Sequence, residues 1–167
     1  LPQIKPSAGN FGVVSGVSFA SNATRVTGIA GDQQSALFGQ ACFAVGDSKC
    51  TFGTGSFILL NTGTKILRSR SKMLSTVAWQ IHGQKPVYAL EGGAFICGAA
   101  IQWLRDGLGL FEKSSDVEAL AKSVADSNGV EFVPALTGLG APHWNAQARG
   151  EITGLTRGVT KAHIARA

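Results

Sequence analysis

Charged side chains are scarce in this chain of 167 residues, making up 15% of it against about 25% in typical soluble domains. Long apolar runs are also missing: no stretch of about 18 uncharged apolar residues occurs, so the sequence predicts no membrane-spanning helix. The net charge of +5 suits anionic ligands such as phosphates but does not require nucleic acid. The basic side chains cluster only over residues 65–72, which is typical of a solvated loop, with a phosphate or partner patch as the alternative. We therefore expect no nucleic-acid partner.

Cysteine is scarce as well. The chain has Cys42, Cys50 and Cys97, an odd number with no C-x-x-C spacing. Apolar neighbours predict that Cys42 and Cys50 are buried thiols. The three histidines lie at no ligand spacing relative to the cysteines, so the sequence predicts no metal site of its own. Thiols outside disulfides favour a reducing compartment, and we expect a cytoplasmic protein.

Glycine, by contrast, is abundant, with 22 residues, close to twice the usual share of about 7%. This content predicts many tight turns and close backbone approaches, and it argues against a helical bundle. Apolar residues make up 44%, which allows a packed core and excludes disorder. Strand-like and helix-like segments mix along the chain without internal repeats, so we expect an α/β or α+β protein.

The predicted elements form a strand–turn–helix unit followed by a hairpin-rich region. Strands are expected at 25–31, 75–81, 86–90 and 130–134, near 150–158, weakly over 11–20, and on both sides of a Gly-Thr-Gly-Ser turn in 50–61. Helices are expected at 32–40, 94–108 and 115–125, and another is expected to begin after Thr160, with Thr160 as its N-cap. A shift in composition near residues 40–50 predicts a domain boundary. The missing initiator Met, and an end soon after a helix begins, lead us to expect a fragment of a longer protein.

Two of these helices carry more detailed predictions. In the helix at 94–108, one face is expected to hold Phe95, Ala99, Trp103 and Leu108. In the helix at 115–125, Ser114 or Ser115 with Glu118 predicts a capping box.

The first candidate for chemistry is the pair Asp32 and Gln33, which follows an apolar strand that ends at Gly31. In open α/β folds, ligands bind at the carboxyl ends of strands. A carboxylate there can accept a proton from a substrate hydroxyl, and an amide can both donate to and accept from a second hydroxyl. The alternative, favoured by the motif alone, is an Asp N-cap beside a solvated Gln.

Two glycine-containing segments are further candidates. Thr54 stands between glycines in a turn that can present N–H groups and a hydroxyl to a phosphate; the alternative is a plain hairpin turn. Gly98 and Gln102 share a helix face, where a flat ligand can pack; the alternative is close helix packing. We assign no catalytic role to Glu91, expected in a turn, or to Asp106, expected at an exposed helix end.

The order of these motifs along the chain resembles the FGGY carbohydrate kinases, and the GDQQ segment resembles the members that phosphorylate glycerol. The similar segments span residues 27–43, 51–57, 89–110 and 132–167. The resemblance implies a partial actin/hexokinase-like ATPase (ribonuclease H-like) fold of the α/β class. It also implies that residues 1–41 end the first kinase domain and that residues 42–167 begin the second.

The resemblance further implies transfer of the ATP γ-phosphate to glycerol, giving sn-glycerol 3-phosphate and ADP, with Mg²⁺. Asp32 would be the catalytic base, and Gln33 and Phe57 would bind glycerol with it. Thr54 and Gly55 would contact the nucleotide phosphates. The residues that would line the nucleotide site are Gly98 and Gln102.

The resemblance also sets limits. Other parts of the family's site would lie outside this chain, so we expect the isolated chain to be inactive and the full-length enzyme to be a homo-oligomer. His143 and Asn145 flank Trp144 where the family usually has an aromatic residue and an acid, and Ser56 replaces a frequent Cys. The alternatives are another FGGY sugar or polyol kinase, or a non-catalytic interaction fragment.

Overall fold

The computed structural model describes residues 2–16 and 24–167. The elements in chain order are β1 (Ala8–Val13), β2 (Arg25–Gly28), α1 (Asp32–Gly39), β3 (Ser48–Phe52), β4 (Ser56–Gly63), β5 (Leu74–Trp79), β6 (Val87–Ala94), α2 (Gly98–Asp106), α3 (Asp116–Lys122), β7 (Glu131–Val133), β8 (Glu151–Thr153) and α4 (Lys161–Arg166). The chain divides into two compact units. The first unit comprises Leu1–Thr51 and Phe57–Gly92, and the second comprises Phe52–Ser56 and Gly93–Ala167.

The sheets of the first unit are built from short strands that pair antiparallel. β1 pairs with β2, with Val13 opposite Arg25. β5 and β6 form the predicted hairpin, and the four-stranded sheet has the order β3-β4-β6-β5. Of the weak strand predicted over 11–20, only residues up to Val13 are in a strand, and residues 17–20 lie outside the described part of the chain.

The core of the first unit forms where α1 packs on the sheet. Leu37 of α1 and Leu59 of β4 are completely buried, together with the small residues Ala78 and Ala89. Phe38 lies edge-on to Trp79, with ring centroids 5.4 Å apart. This packing fixes the position of α1, and therefore of its first residues.

The second unit packs around α2. Leu104 and Ala100 are the buried residues of that helix, and Trp103 stacks on Phe132 of β7 with ring centroids 6.0 Å apart. β7 pairs antiparallel with β8, and α3 packs against α4.

Several sequence predictions about local structure are wrong. The helix predicted over 94–108 begins only at Gly98, so Phe95 lies outside it and is exposed, as is Leu108. The predicted buried thiol of Cys50 is exposed, because successive residues of β3 face opposite ways and Lys49 is the one that is buried. Glu91 lies within β6 rather than in a turn.

The predicted capping box of the third helix is also absent. α3 begins after Ser115, whose hydroxyl makes no capping bond, and the N–H of Lys113 donates instead to Asp116 Oδ2 at 3.0 Å. A capping box forms at α4, where the N–H of Thr160 donates to His163 Nδ1 at 3.0 Å. Thr160 is therefore the N-cap that the sequence predicts.

Candidate functional site

The residues predicted to carry function fall into two groups, one in each unit. Asp32, Gln33 and Phe57 lie in the first unit. The second unit contains the remaining four, namely Thr54, Gly55, Gly98 and Gln102.

Asp32 is the first helical residue of α1, and its side chain is exposed. The N-cap position belongs to Gly31, which has extended backbone (φ −64°, ψ 155°) and no side-chain capping bond. An Asp N-cap, the simpler explanation of this motif, is therefore not what forms. A carboxylate in the first turn interacts favourably with the helix dipole while its oxygens stay accessible.

Gln33 is half-buried and bonded at both ends of its amide. Its Nε2 donates to Asp32 Oδ2 at 3.1 Å, and its Oε1 accepts a hydrogen bond from Lys49 Nζ. The alternative of a solvated Gln is therefore wrong. The amide links a carboxylate on one side to an ammonium on the other.

Lys49, in β3, is only 7% exposed. Its ammonium donates to Thr51 Oγ1 at 2.8 Å and to the carbonyl oxygen of Phe57 at 3.3 Å, in addition to Gln33. An ammonium has three N–H groups, so this set of acceptors uses all of them. Burial lowers the pKa of Lys49, whereas electrostatic interactions with Cys50, Glu91 and Asp32 act in the opposite direction.

Phe57, in β4, is half-buried, and its backbone carbonyl contributes to the Lys49 contacts. Through this carbonyl, the residue is tied to Gln33 by a single shared ammonium. The structure thus brings together the three predicted residues of the first unit by way of Lys49.

In the second unit, the glycine-containing turn is bonded to the start of α2. The N–H of Cys97 donates to the carbonyl oxygen of Thr54 at 2.8 Å, and that of Ala99 donates to the same oxygen at 3.2 Å. The N–H of Gly98 donates to the Gly53 carbonyl oxygen at 2.8 Å. The first N–H groups of a helix are often available to an anion, but here the turn occupies them.

Gly98 has a clear structural reason to be glycine. A Cβ at this position would lie 2.6 Å from the carbonyl oxygen of Gly53, a distance that real Cβ atoms do not reach. Close packing therefore accounts for the residue type, although against a turn rather than a strand. Thr54 at the tip of the turn and Gln102 one helical turn beyond Gly98 are both exposed, and Gly55 is half-buried.

Lys49 is the residue that the sequence predictions missed. Its partners Gln33 and Phe57 lie 16 and 8 residues away, so no local motif connects them. The available signal is strand periodicity: the strand predicted from Cys50 onward extends back over Lys49 in β3, where Lys49 and Thr51 are two residues apart and therefore share a face. Because Lys49 shares its face with Thr51, which precedes the glycine-containing turn, its ammonium could have been predicted to point toward the site.

Among residues 2–16 and 24–167, no three His, Cys, Asp or Glu side chains come together as a metal site. Magnesium is usually held by one or two carboxylates, water and substrate phosphates, so these residues do not by themselves fit a protein-only Mg²⁺ site. Within the same ranges, every helix is too short or too polar to cross a bilayer.

Comparison with known proteins gives a consistent result. Residues 48–167 match the FGGY family of carbohydrate kinases, C-terminal domain. The chain is 68% identical over its full length to the glycerol kinase of Bdellovibrio bacteriovorus and 55% identical to that of Myxococcus xanthus, covering 34% of each. It superposes on the crystal structure of Plasmodium falciparum glycerol kinase with ADP at a TM-score of 0.83 and 40% identity, covering 99% of this chain and 33% of that one.

The chain therefore belongs to the FGGY family of carbohydrate kinases. Its fold is part of the actin/hexokinase-like ATPase fold, as the resemblance in the sequence predicts. The chain spans about a third of the length of the curated relatives that it matches.

Proposed function

We propose that this chain is part of an ATP-dependent glycerol kinase, which transfers the γ-phosphate of ATP to glycerol and gives sn-glycerol 3-phosphate and ADP. The observation that carries the proposal is the bonded pair Asp32 and Gln33 at the start of α1, in a chain 68% identical to a glycerol kinase. Phosphoryl transfer depends mainly on positioning and charge neutralisation, and a carboxylate beside an amide suits a polyol acceptor.

In this proposal, Asp32 accepts the proton of the attacking glycerol hydroxyl and holds that hydroxyl in line for transfer. One oxygen of Asp32 accepts from Gln33, which leaves the other oxygen for the substrate proton. Gln33 binds a further hydroxyl. Phe57 provides an apolar wall for the carbon chain of glycerol.

The residues of the second unit are assigned to the nucleotide. Thr54 and Gly55 contact its phosphates, and Gly98 and Gln102 line its site. The exposure of Thr54 and Gln102 supports this assignment, because both side chains are accessible to a ligand. The α2 N–H groups already bonded to the turn are not assigned to a phosphate.

The rest of the proposal concerns the whole enzyme. Mg²⁺ bound to ATP would neutralise the charge of the phosphates during transfer. Residues 1–41 would complete the first kinase domain, and residues 42–167 would begin the second. The enzyme would be a cytoplasmic homo-oligomer.

A substrate panel tests the proposed function. The full-length protein that carries this chain should release ADP from ATP in a glycerol-dependent manner, with glycerol 3-phosphate as the product. A higher kcat/KM with a pentulose or another polyol would instead indicate a different FGGY kinase. Absence of any acceptor-dependent ADP release would favour a non-catalytic interaction role.

The 167-residue chain by itself gives a complementary measurement. Because the chain spans only about a third of the length of its relatives, we expect it to show no glycerol-dependent ATP consumption. Glycerol-dependent turnover by the isolated chain would contradict the expectation that essential parts of the catalytic site lie outside these 167 residues.

A further inference from the structure

The hydrogen bonds of Lys49 determine which way the amide of Gln33 faces. An ammonium can only donate, so the amide atom in contact with it must be the oxygen. A carboxylate can only accept, so the amide atom in contact with Asp32 Oδ2 must be the nitrogen. Both contacts therefore require the same amide orientation.

This orientation defines what Gln33 can offer to a substrate. The Nε2 group has two N–H bonds and uses one for Asp32, and Oε1 has two lone pairs and uses one for Lys49. One donor and one acceptor remain. A hydroxyl group both donates and accepts, so the oriented amide has the complementary pair of atoms that a polyol requires.

Lys49 is itself held in a fixed position. Its side chain is 7% exposed and its ammonium is bonded to an amide oxygen, a hydroxyl and a backbone carbonyl, none of which is charged. Burying an ammonium among neutral acceptors is costly, and an apolar residue of similar length would avoid that cost. The nearby carboxylates of Glu91 and Asp32 favour the charged form, but burial outweighs them and still lowers the pKa of Lys49. Stability alone therefore does not explain why a cation stands here.

We propose that Lys49 is a positioning residue for the acceptor site: its buried ammonium orients the Gln33 amide and, through that amide, the Asp32 carboxylate. The inference rests on the proposed function, since it explains how a polyol hydroxyl is recognised. Lys49 does not itself contact the substrate in this account.

The test uses Lys49→Met in the full-length protein, because methionine keeps the length of the side chain but cannot donate. We expect kcat/KM for glycerol to fall by about tenfold or more, as for loss of a hydrogen bond to a charged group, while the KM for ATP changes by less than about twofold. Lys65→Met is the matched control, since Lys65 is an exposed lysine of the same unit. It should match the wild-type protein.

Two readouts separate positioning from a loss of stability. The first is the preference for glycerol over 1,3-propanediol, which lacks the middle hydroxyl; Lys49→Met should reduce this ratio of kcat/KM values. The second is a double-mutant cycle with Gln33→Leu. If Lys49 acts through Gln33, Lys49→Met should cost little additional activity in the Gln33→Leu protein.

The outcomes distinguish this inference from the proposed function. A wild-type protein without glycerol-dependent activity overturns the proposed function, and the inference with it. An active wild-type protein overturns the inference alone if Lys49→Met keeps the glycerol preference, or if its effect adds fully to that of Gln33→Leu. A variant with a lowered melting temperature but unchanged selectivity shows a structural role only and also overturns it.

Discussion

The backbone N–H of Gly98 donates to the carbonyl oxygen of Gly53 at 2.8 Å, and a Cβ on Gly98 would lie 2.6 Å from that same oxygen. Together with the two bonds to Thr54, this contact makes the turn after β3 and the first turn of α2 one hydrogen-bonded structure. The exposed side chain of Thr54 therefore stands on a turn that is hydrogen-bonded to α2.

Substitution of this glycine tests the support. Gly98→Ala should destabilise the protein by about 1–3 kcal/mol, because the neighbouring backbone has to move to admit the methyl group. The expected result is faster amide hydrogen exchange in residues 98–106. Gly39→Ala is the control: a Cβ there meets nothing within 4 Å, and Gly39 also lies in a helix. Equal exchange in both variants would show that the close approach carries no energetic cost.

The core of the first unit can be tested with two adjacent residues of β4, one buried and one exposed. Leu59 is completely buried, whereas Ile58, its neighbour in β4, is 43% exposed. Leu59→Ala should lower the free energy of unfolding by about 2–5 kcal/mol, since it leaves a cavity against Leu37 and Trp79. Ile58→Ala should cost far less, as measured by urea titration. Similar losses for the two variants would contradict the burial of Leu59 and the exposure of Ile58 in β4.

The lowered pKa of Lys49 predicts a pH dependence of stability. Burial is the main cause of the shift, so the folded protein releases the Lys49 proton at a lower pH than the unfolded chain, whose ordinary value is 10.5. Between these two values the unfolded state binds more protons, and the free energy of unfolding rises with pH. The cost of the buried charge is fully present below the folded pKa and is relieved above it.

Urea titrations from neutral pH to about pH 10 would measure this effect. The wild-type protein should gain stability relative to Lys49→Met as the pH increases. If the free energy of unfolding of the wild-type protein, taken relative to that of Lys49→Met, stays constant or falls with increasing pH, the direction of the pKa shift is contradicted.

Local sequence patterns predicted much of the architecture. The strand–turn–helix unit ending in α1, the turn between β3 and β4, the hairpin of β5 and β6, and the N-cap Thr160 were all predicted from periodicity and turn residues. These features depend on interactions between residues close in sequence. The same is true of the adjacency of Asp32 and Gln33, which made them a candidate pair.

Contacts between distant residues were not predictable in this way. The link from Lys49 to Gln33 joins β3 to the first turn of α1, and the start of α2 depends on carbonyl oxygens more than 40 residues earlier in the chain. The helix predicted from apolar periodicity began at residue 94 and so included Phe95, whereas α2 begins at Gly98. Periodicity contains no information about where backbone N–H groups find tertiary partners. Long-range hydrogen bonds therefore determined the details that the sequence did not reveal.

The central claim, that Asp32 is the base in glycerol phosphorylation, is tested most directly by kcat of Asp32→Asn in the full-length protein. Asparagine keeps the size of the side chain but cannot accept the hydroxyl proton as a carboxylate does. The account predicts that glycerol-dependent ADP release falls by at least about 100-fold, while ADP binding stays close to that of the wild-type protein. Wild-type turnover in this variant would contradict the catalytic assignment of Asp32.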